Sequence, residues 1–233
     1  MRIFAHRGLV AGPNGAQENS LNMIETAFRE NFDIETDIRR EPGAGAFYIS
    51  HEPATRLNLP SPGSAVEHHL ALWQAWPRRR VALNLKDLSD VGGIIRLLQE
   101  AGVSQQVFLF DMELIESTPG ETARMARELD GRLSLAARVS ERGETIERAL
   151  AVEAAGIIWL DEFDGPWAKR DDVTRLKRAG KEIIAVSPEL HGRSLAEAER
   201  RWDDFAEWRV DGICTDWPRR LAALLGVRPG TEG

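Results

Sequence analysis

Short runs rich in Val, Ile, Leu and Phe alternate with segments of helical period along the chain. The apolar runs are residues 2–6, 33–38, 81–86, 107–112, 133–139, 156–162, 182–187 and 212–216, with 46–51 as a hairpin partner of the second. Most end in polar residues. Between them a 3.6-residue period predicts helices over 20–31, 64–76, 90–101, 118–129, 144–155, 171–179, 195–208 and 217–225. Ser64 followed by Glu67 reads as a capping box, and Gly102, Gly131, Gly156 and Gly180 stand where helices should stop. Strand–helix alternation implies a parallel sheet. Eight such units without a second composition zone predict one α/β domain over 1–227, a closed (β/α)8 TIM barrel, with 228–233 as a loose tail. An open doubly wound sheet is the alternative.

A barrel makes a demand on chemistry, because catalytic groups gather at the C-terminal ends of its strands. His6, Glu35, Asp37, His51, Asn84, Lys86, Asp111, Arg138, Asp161, Glu162, Glu189 and Asp216 fall at or near such ends. Side chains alternate along a strand, so Glu35 and Asp37 share a face opposite Ile34, Thr36 and Ile38. Standing alone, that alternation is a solvated sheet face. Two adjacent carboxylates also repel unless a cation sits between them, and Mg²⁺ or Ca²⁺ prefers such oxygens. His6 and His51 suit an acid–base pair on either side of a metal-bound group. Arg7 carries a fork that matches a phosphate. Trp159 is either a pocket wall or simple packing. His68, His69 and the run 78–80 read as solvated, and His191 as a loop residue.

The order of these pieces resembles the glycerophosphodiester phosphodiesterase family. The matching motifs are His6-Arg7-Gly8, Glu18-Asn19-Ser20, Glu35-Thr36-Asp37 and His51-Glu52, with a closing strand Gly212-Ile213-Cys214-Thr215-Asp216-Trp217-Pro218. The resemblance implies His6 and His51 as acid and base, Glu35 and Asp37 as metal ligands, and Arg7 as a phosphate holder. It also implies a divalent cation, Mg²⁺ or Ca²⁺, and a small-molecule phosphodiester substrate. Two departures stand out. The family's Glu-x-Lys strand is here Asn84-Leu85-Lys86, which keeps the Lys as a phosphate contact but puts a neutral amide where a metal-binding Glu is expected. Asp111 is the candidate to supply the missing charge. The insertion that usually caps the substrate shrinks to a Pro-rich loop and one short helix between Glu52 and Asn84, which leaves the alcohol specificity open. A non-catalytic barrel that binds a phosphorylated ligand, or a cyclising lyase of the sphingomyelinase D type, are the alternatives to a phosphoric diester hydrolase.

Composition narrows the partners. The 233 residues carry a net charge of −7, which argues against nucleic acid and weakly against anionic membranes. No run approaches the length of a membrane span, so no stable membrane insertion is expected. A single cysteine, Cys214, excludes an internal disulfide and fits a reducing compartment, and no leader is visible, so the cytoplasm is expected. Nothing marks an oligomer interface.

Overall fold

The structure, a computed structural model, describes residues 1–41, 43, 45–55, 62–112, 116, 118 and 120–227. The expected tail and parts of the 42–45 turn and the Pro-rich loop lie outside the described residues. Eight parallel strands close a barrel: β1 (Arg2–His6), β2 (Asp33–Arg40), β4 (Val81–Leu85), β5 (Val107–Phe110), β6 (Ser134–Val139), β7 (Ile157–Leu160), β8 (Glu182–Val186) and β9 (Gly212–Thr215). Pairing of β1 with both β9 and β2 completes the ring and overturns the open-sheet alternative. The short β3 (Phe47–Ile49) runs antiparallel to β2 and forms the expected hairpin. The helices are α1 (Leu21–Arg29), α2 (Val66–Ala75), α3 (Val91–Glu100), α4 (Glu121–Leu129), α5 (Ile146–Ala151), α6 (Arg170–Arg178), α7 (Leu195–Glu207) and α8 (Pro218–Leu224). None of the described helices is long and apolar enough to cross a membrane.

Alternation along each strand splits the interior into two cores. Ile3, Ala5, Ile34, Ile38, Leu83, Leu109, Ala137, Ile158, Ile183 and Ile213 face outward and pack with the helices. Phe4, Ala82, Phe108, Phe110, Ala136, Trp159, Ile184 and Cys214 fill the lumen. Phe110 and Trp159 meet with ring centroids 4.2 Å apart, so Trp159 is packing inside the barrel. The period of two then carries the inward face up to His6, Glu35, Asp37, Asn84, Arg138, Asp161 and Asp216 at the mouth. At the opposite end Arg79 and Arg80 of the basic run are engaged, while Arg78 is exposed as expected. Arg80 pairs with Glu182 and lies over the Phe108 ring, while Arg2 pairs with Asp33 at 2.7 Å.

Caps explain where several helices begin. Ser20 and Asp90 accept from backbone N–H groups of α1 and α3, Asp90 from Gly93 at 2.8 Å. The capping box expected at Ser64 is absent. Pro62–Ser64 forms a 3₁₀ turn, and α2 starts at Val66 with Ala65 at its N-cap. Helix α4 starts late because the Glu116 carboxylate, from outside the helix, accepts from Gly120 and Thr122 N–H. Gly102 and Gly180 take the left-handed conformation that ends a helix, at φ 68° and 76°.

Candidate active site

The end of β1 sets the first part of the site. After His6 the chain turns sharply: Arg7 and Gly8 are left-handed, at φ 50° and 76°, with Gly8 N–H donating to Ala5 O. A Cβ on Gly8 would meet Ile24 Cγ1 at 2.9 Å, so only glycine lets this turn lie against α1. His6 Nδ1 donates to Asp216 Oδ1 at 2.7 Å, leaving Nε2 facing Glu35 at 3.8 Å. Burial lowers the affinity of the His6 ring for a proton, but the Asp216 hydrogen bond and the Glu35 and Asp216 charges outweigh it. Its pKa therefore lies above the ordinary value. Asp216 is itself fixed: Glu189 accepts from Thr215 Oγ1 at 2.5 Å and from Asp216 N–H at 3.2 Å.

Glu35 and Asp37 stand on the inward face of β2, both buried. Burial first, and the neighbouring Asp37 charge second, push the Glu35 carboxyl up to about 7. Asp37 goes the other way. Burial opposes its charge, yet Lys86 and Arg7 outweigh that and hold it below its ordinary value. Lys86 Nζ lies 3.2 Å from Asp37 Oδ1, and Arg7 Nε lies 3.3 Å from Oδ2. Arg7 also donates to Glu18 at 2.6 Å, and its backbone N–H donates to Glu35 at 3.2 Å. The structure thus brings His6, Arg7, Glu35, Asp37 and Lys86 together.

The remaining predicted residues fall in three places. Asn84 pairs in register with Asp37, and its buried Oδ1 has no hydrogen-bond partner. His51 sits on the rim with a side chain 38% exposed, and its Nδ1 donates to Glu52 at 2.8 Å. Arg39 holds the His51 carbonyl at 2.6 and 2.8 Å. His51 lines a cavity of about 440 Å³ with Glu18, Asn19, Tyr48, Ser50 and Glu52 among others, and that lining does not include His6, Glu35, Asp37 or Lys86. Asp111, left-handed at φ 70°, accepts from Arg138 Nε at 2.7 Å, so an arginine already neutralises the carboxylate expected to stand in for the missing Glu.

Sequence reasoning missed two histidines. His69 is fully buried instead of solvated, with Nε2 3.1 Å from Asn19 O and Nδ1 3.2 Å from Ala65 O. It ties α2 to Asn19, whose amide donates to Asp37 at 3.2 Å and accepts from Thr36. His191 makes an ion pair with Asp161 rather than lying free in a loop. The helical position of His69 next to Leu70 and Trp73 was its only signal, and His191 had none.

The chain shares its fold with known phosphodiesterases. A glycerophosphoryl diester phosphodiesterase from Parabacteroides distasonis superposes with a TM-score of 0.69 at 15% identity, over 97% of this chain and 86% of that one. A phosphodiesterase from Oleispira antarctica, solved with the product sn-glycerol-3-phosphate, gives 0.68 at 14%, over 97% of each chain. A tryptophan synthase α-subunit from Pyrococcus furiosus, another barrel, reaches only 0.56 at 12%, over 97% of this chain and 98% of that one. The likeness is greater to the two phosphodiesterase structures than to the tryptophan synthase subunit. No protein-family model matches the sequence, and no curated protein matches it.

Oxygen donors of the kind a hard cation prefers stand together here, next to two cations of the chain itself, Lys86 and Arg7. Two carboxylates stand side by side, one of them held against its own ionisation, and a buried amide oxygen points at no donor. Among the described residues no group of three His, Cys, Asp or Glu converges as a metal site.

Proposed function

We propose that this chain is a divalent-metal-dependent phosphodiesterase, a divergent relative of the glycerophosphodiester phosphodiesterases. The observation that carries the reading is His6, held by Asp216 on one nitrogen and facing Glu35 with the other, above a carboxylate pair flanked by Arg7 and Lys86. A phosphate-holding fork, a proton donor and a cation-binding acid pair at one barrel mouth suit phosphoryl chemistry better than simple retention of an anion. The fold match to two phosphodiesterases supports the same reading.

Glu35, Asp37 and Asn84 Oδ1 are the residues that would hold the metal, whose chemistry when bound is to neutralise charge developing on a phosphate oxygen. Arg7 and Lys86 hold the other phosphate oxygens. Both already lie on Asp37, so they stay fixed in place before substrate arrives. His6 Nε2, with its pKa raised, gives a proton to the leaving oxygen, and Asp216 keeps the ring in the tautomer and orientation this requires. His51, on the rim beside the 440 Å³ cavity, takes a proton from the attacking hydroxyl or water.

The neutral Asn84 favours one competing reading, a barrel that binds a phosphorylated ligand without cleaving it. Hydrolysis of a chromogenic phosphodiester by metal-stripped protein, with Mg²⁺, Ca²⁺ or Mn²⁺ added back, separates the two. The expected result is metal-dependent turnover that disappears in Glu35→Gln and falls at least about a hundredfold in His51→Ala. No turnover with any of the three ions, together with retained phosphate binding, establishes the binding protein. Analysis of the product, open or cyclic, distinguishes hydrolysis from a lyase.

A further inference from the structure

The turn after β8 brings a carboxylate to the back of the His6–Asp216 pair. Glu189 lies in the 3₁₀ turn Pro188–His191, and among the described residues no lysine, arginine or histidine pairs with it. Two hydroxyls and a backbone amide converge on it instead. Its Oε1 accepts from Thr215 Oγ1 at 2.5 Å and from Asp216 N–H at 3.2 Å, and its Oε2 accepts from Ser187 Oγ. The next partners settle where the hydroxyl protons go. Trp202 Nε1, from α7, donates to Ser187 Oγ at 2.6 Å, and Trp217 N–H donates to Thr215 Oγ1 at 3.0 Å. Each hydroxyl therefore accepts one bond and points its single proton at Glu189. A partly buried carboxylate with no cation beside it is stable only when hydrogen bonds satisfy its oxygens, and three donors from two strand ends do so here.

What this carboxylate holds is the Asp216 peptide. That peptide is gripped from both sides: its N–H goes to Glu189, and its C=O accepts from Gly12 N–H at 2.8 Å in the loop after β1. Gly12 has φ 109°, and a Cβ there would meet the Trp217 ring at 2.6 Å, so the loop lies directly on the residue after Asp216. With the backbone fixed on both sides, the Asp216 carboxylate is aimed at His6 Nδ1, 2.7 Å away. Glu189 thus reaches His6 across three neighbouring strands of the ring, β8, β9 and β1. Without it, Asp216 N–H and two buried hydroxyls lose their shared acceptor, and the peptide that aims the Asp216 carboxylate is free to turn.

We infer that Glu189 is a positioning residue of the reaction, which holds the Asp216 peptide and thereby keeps the His6 ring in one orientation and one tautomer. The inference rests on the phosphodiesterase reading and extends its acid–base machinery by one residue that touches neither substrate nor His6.

Two readouts on Glu189→Ala test it. In the first, nitrogen NMR of the neutral His6 ring, taken without substrate or metal, should show Nδ1 protonated in the wild type and a mixture of tautomers in the variant. In the second, kcat on an alkyl diester should fall at least about tenfold with KM unchanged, and the variant should follow the substrate pattern of His6→Ala. The double variant His6→Ala/Glu189→Ala should turn over no more slowly than His6→Ala, because Glu189 acts only through the ring. Glu189→Gln keeps an oxygen for Thr215 and Asp216 and turns its amide toward Ser187, so it should restore the single tautomer and most of the rate. Should Glu189→Ala not fold, Thr215→Val removes one donor at nearly constant volume and is read in the same way. A mixed tautomer already in the wild type, a single tautomer in Glu189→Ala, or losses that add in the double variant overturns the inference. A wild type that turns over no diester with any of the three ions removes the phosphodiesterase reading alone, and the tautomer still decides the link from Glu189 to His6.

Discussion

Two titrations at single residues set the behaviour of the site. Glu35 holds its proton to about 7, against an ordinary 4.5. Between those values the folded chain keeps a proton that the unfolded chain has released. Its contribution to stability is therefore fully present below 4.5 and is lost as pH rises through about 7. His6, also raised, acts in the same direction. Metal-free protein should melt at a lower temperature at about pH 8 than at about pH 5, and Glu35→Gln should flatten that dependence. A profile unchanged by the substitution would show that the buried carboxyl is not the group responsible. His6 offers a kinetic counterpart. If it protonates the leaving oxygen, His6→Ala should lose at least about a hundredfold on an alkyl diester and much less on a nitrophenyl diester, whose leaving group departs without a proton. Equal losses on the two substrates would assign His6 to the attacking side.

At the scale of elements, the loops are held by short polar devices that differ in what they support. Asp90 caps α3 and bonds to none of the site's side chains, so Asp90→Ala should cost about 1 kcal/mol in urea unfolding and leave turnover unchanged. Gly8 belongs to the turn that aims His6 and Arg7. Gly8→Ala places a methyl 2.9 Å from Ile24 in a left-handed conformation, which should cost about 1–2 kcal/mol from the backbone alone and also lower kcat. Most of these elements were legible in the sequence, because a period of two or 3.6 reflects burial that every (β/α) unit repeats. The exceptions have local causes. The expected cap at Ser64 was displaced by a 3₁₀ turn, and the start of α4 was set by Glu116 reaching back to its N-terminus. Side chains that cross between elements leave no trace in periodicity.

For the whole molecule, closure of the barrel makes the lumen a shared core. Trp159 lies there against Phe110 and Phe108 from a neighbouring part of the ring. Trp159→Ala should cost about 3–5 kcal/mol, read as a lower urea midpoint with an unchanged slope. A loss below about 1 kcal/mol would mean that the lumen closes around the gap. Closure also decides which inward-facing residues become neighbours. Asp216, from the last strand, reaches His6 of the first only because β9 pairs with β1.

The sequence by itself determined the strand–helix rhythm, the barrel and the inward face that carries His6, Glu35, Asp37, Asn84 and Lys86, since alternation and strand ends are local properties of the chain. It also showed the neutral Asn84 where the resemblance implies an acid. The pairing of charges was decided only in three dimensions. Asp111 went to Arg138, His191 to Asp161, and His69 into the interior as a support for Asn19. Each of those contacts joins residues on different (β/α) units, and a partner for a buried charge is chosen by the strand order and twist of the closed barrel, not by spacing along the chain.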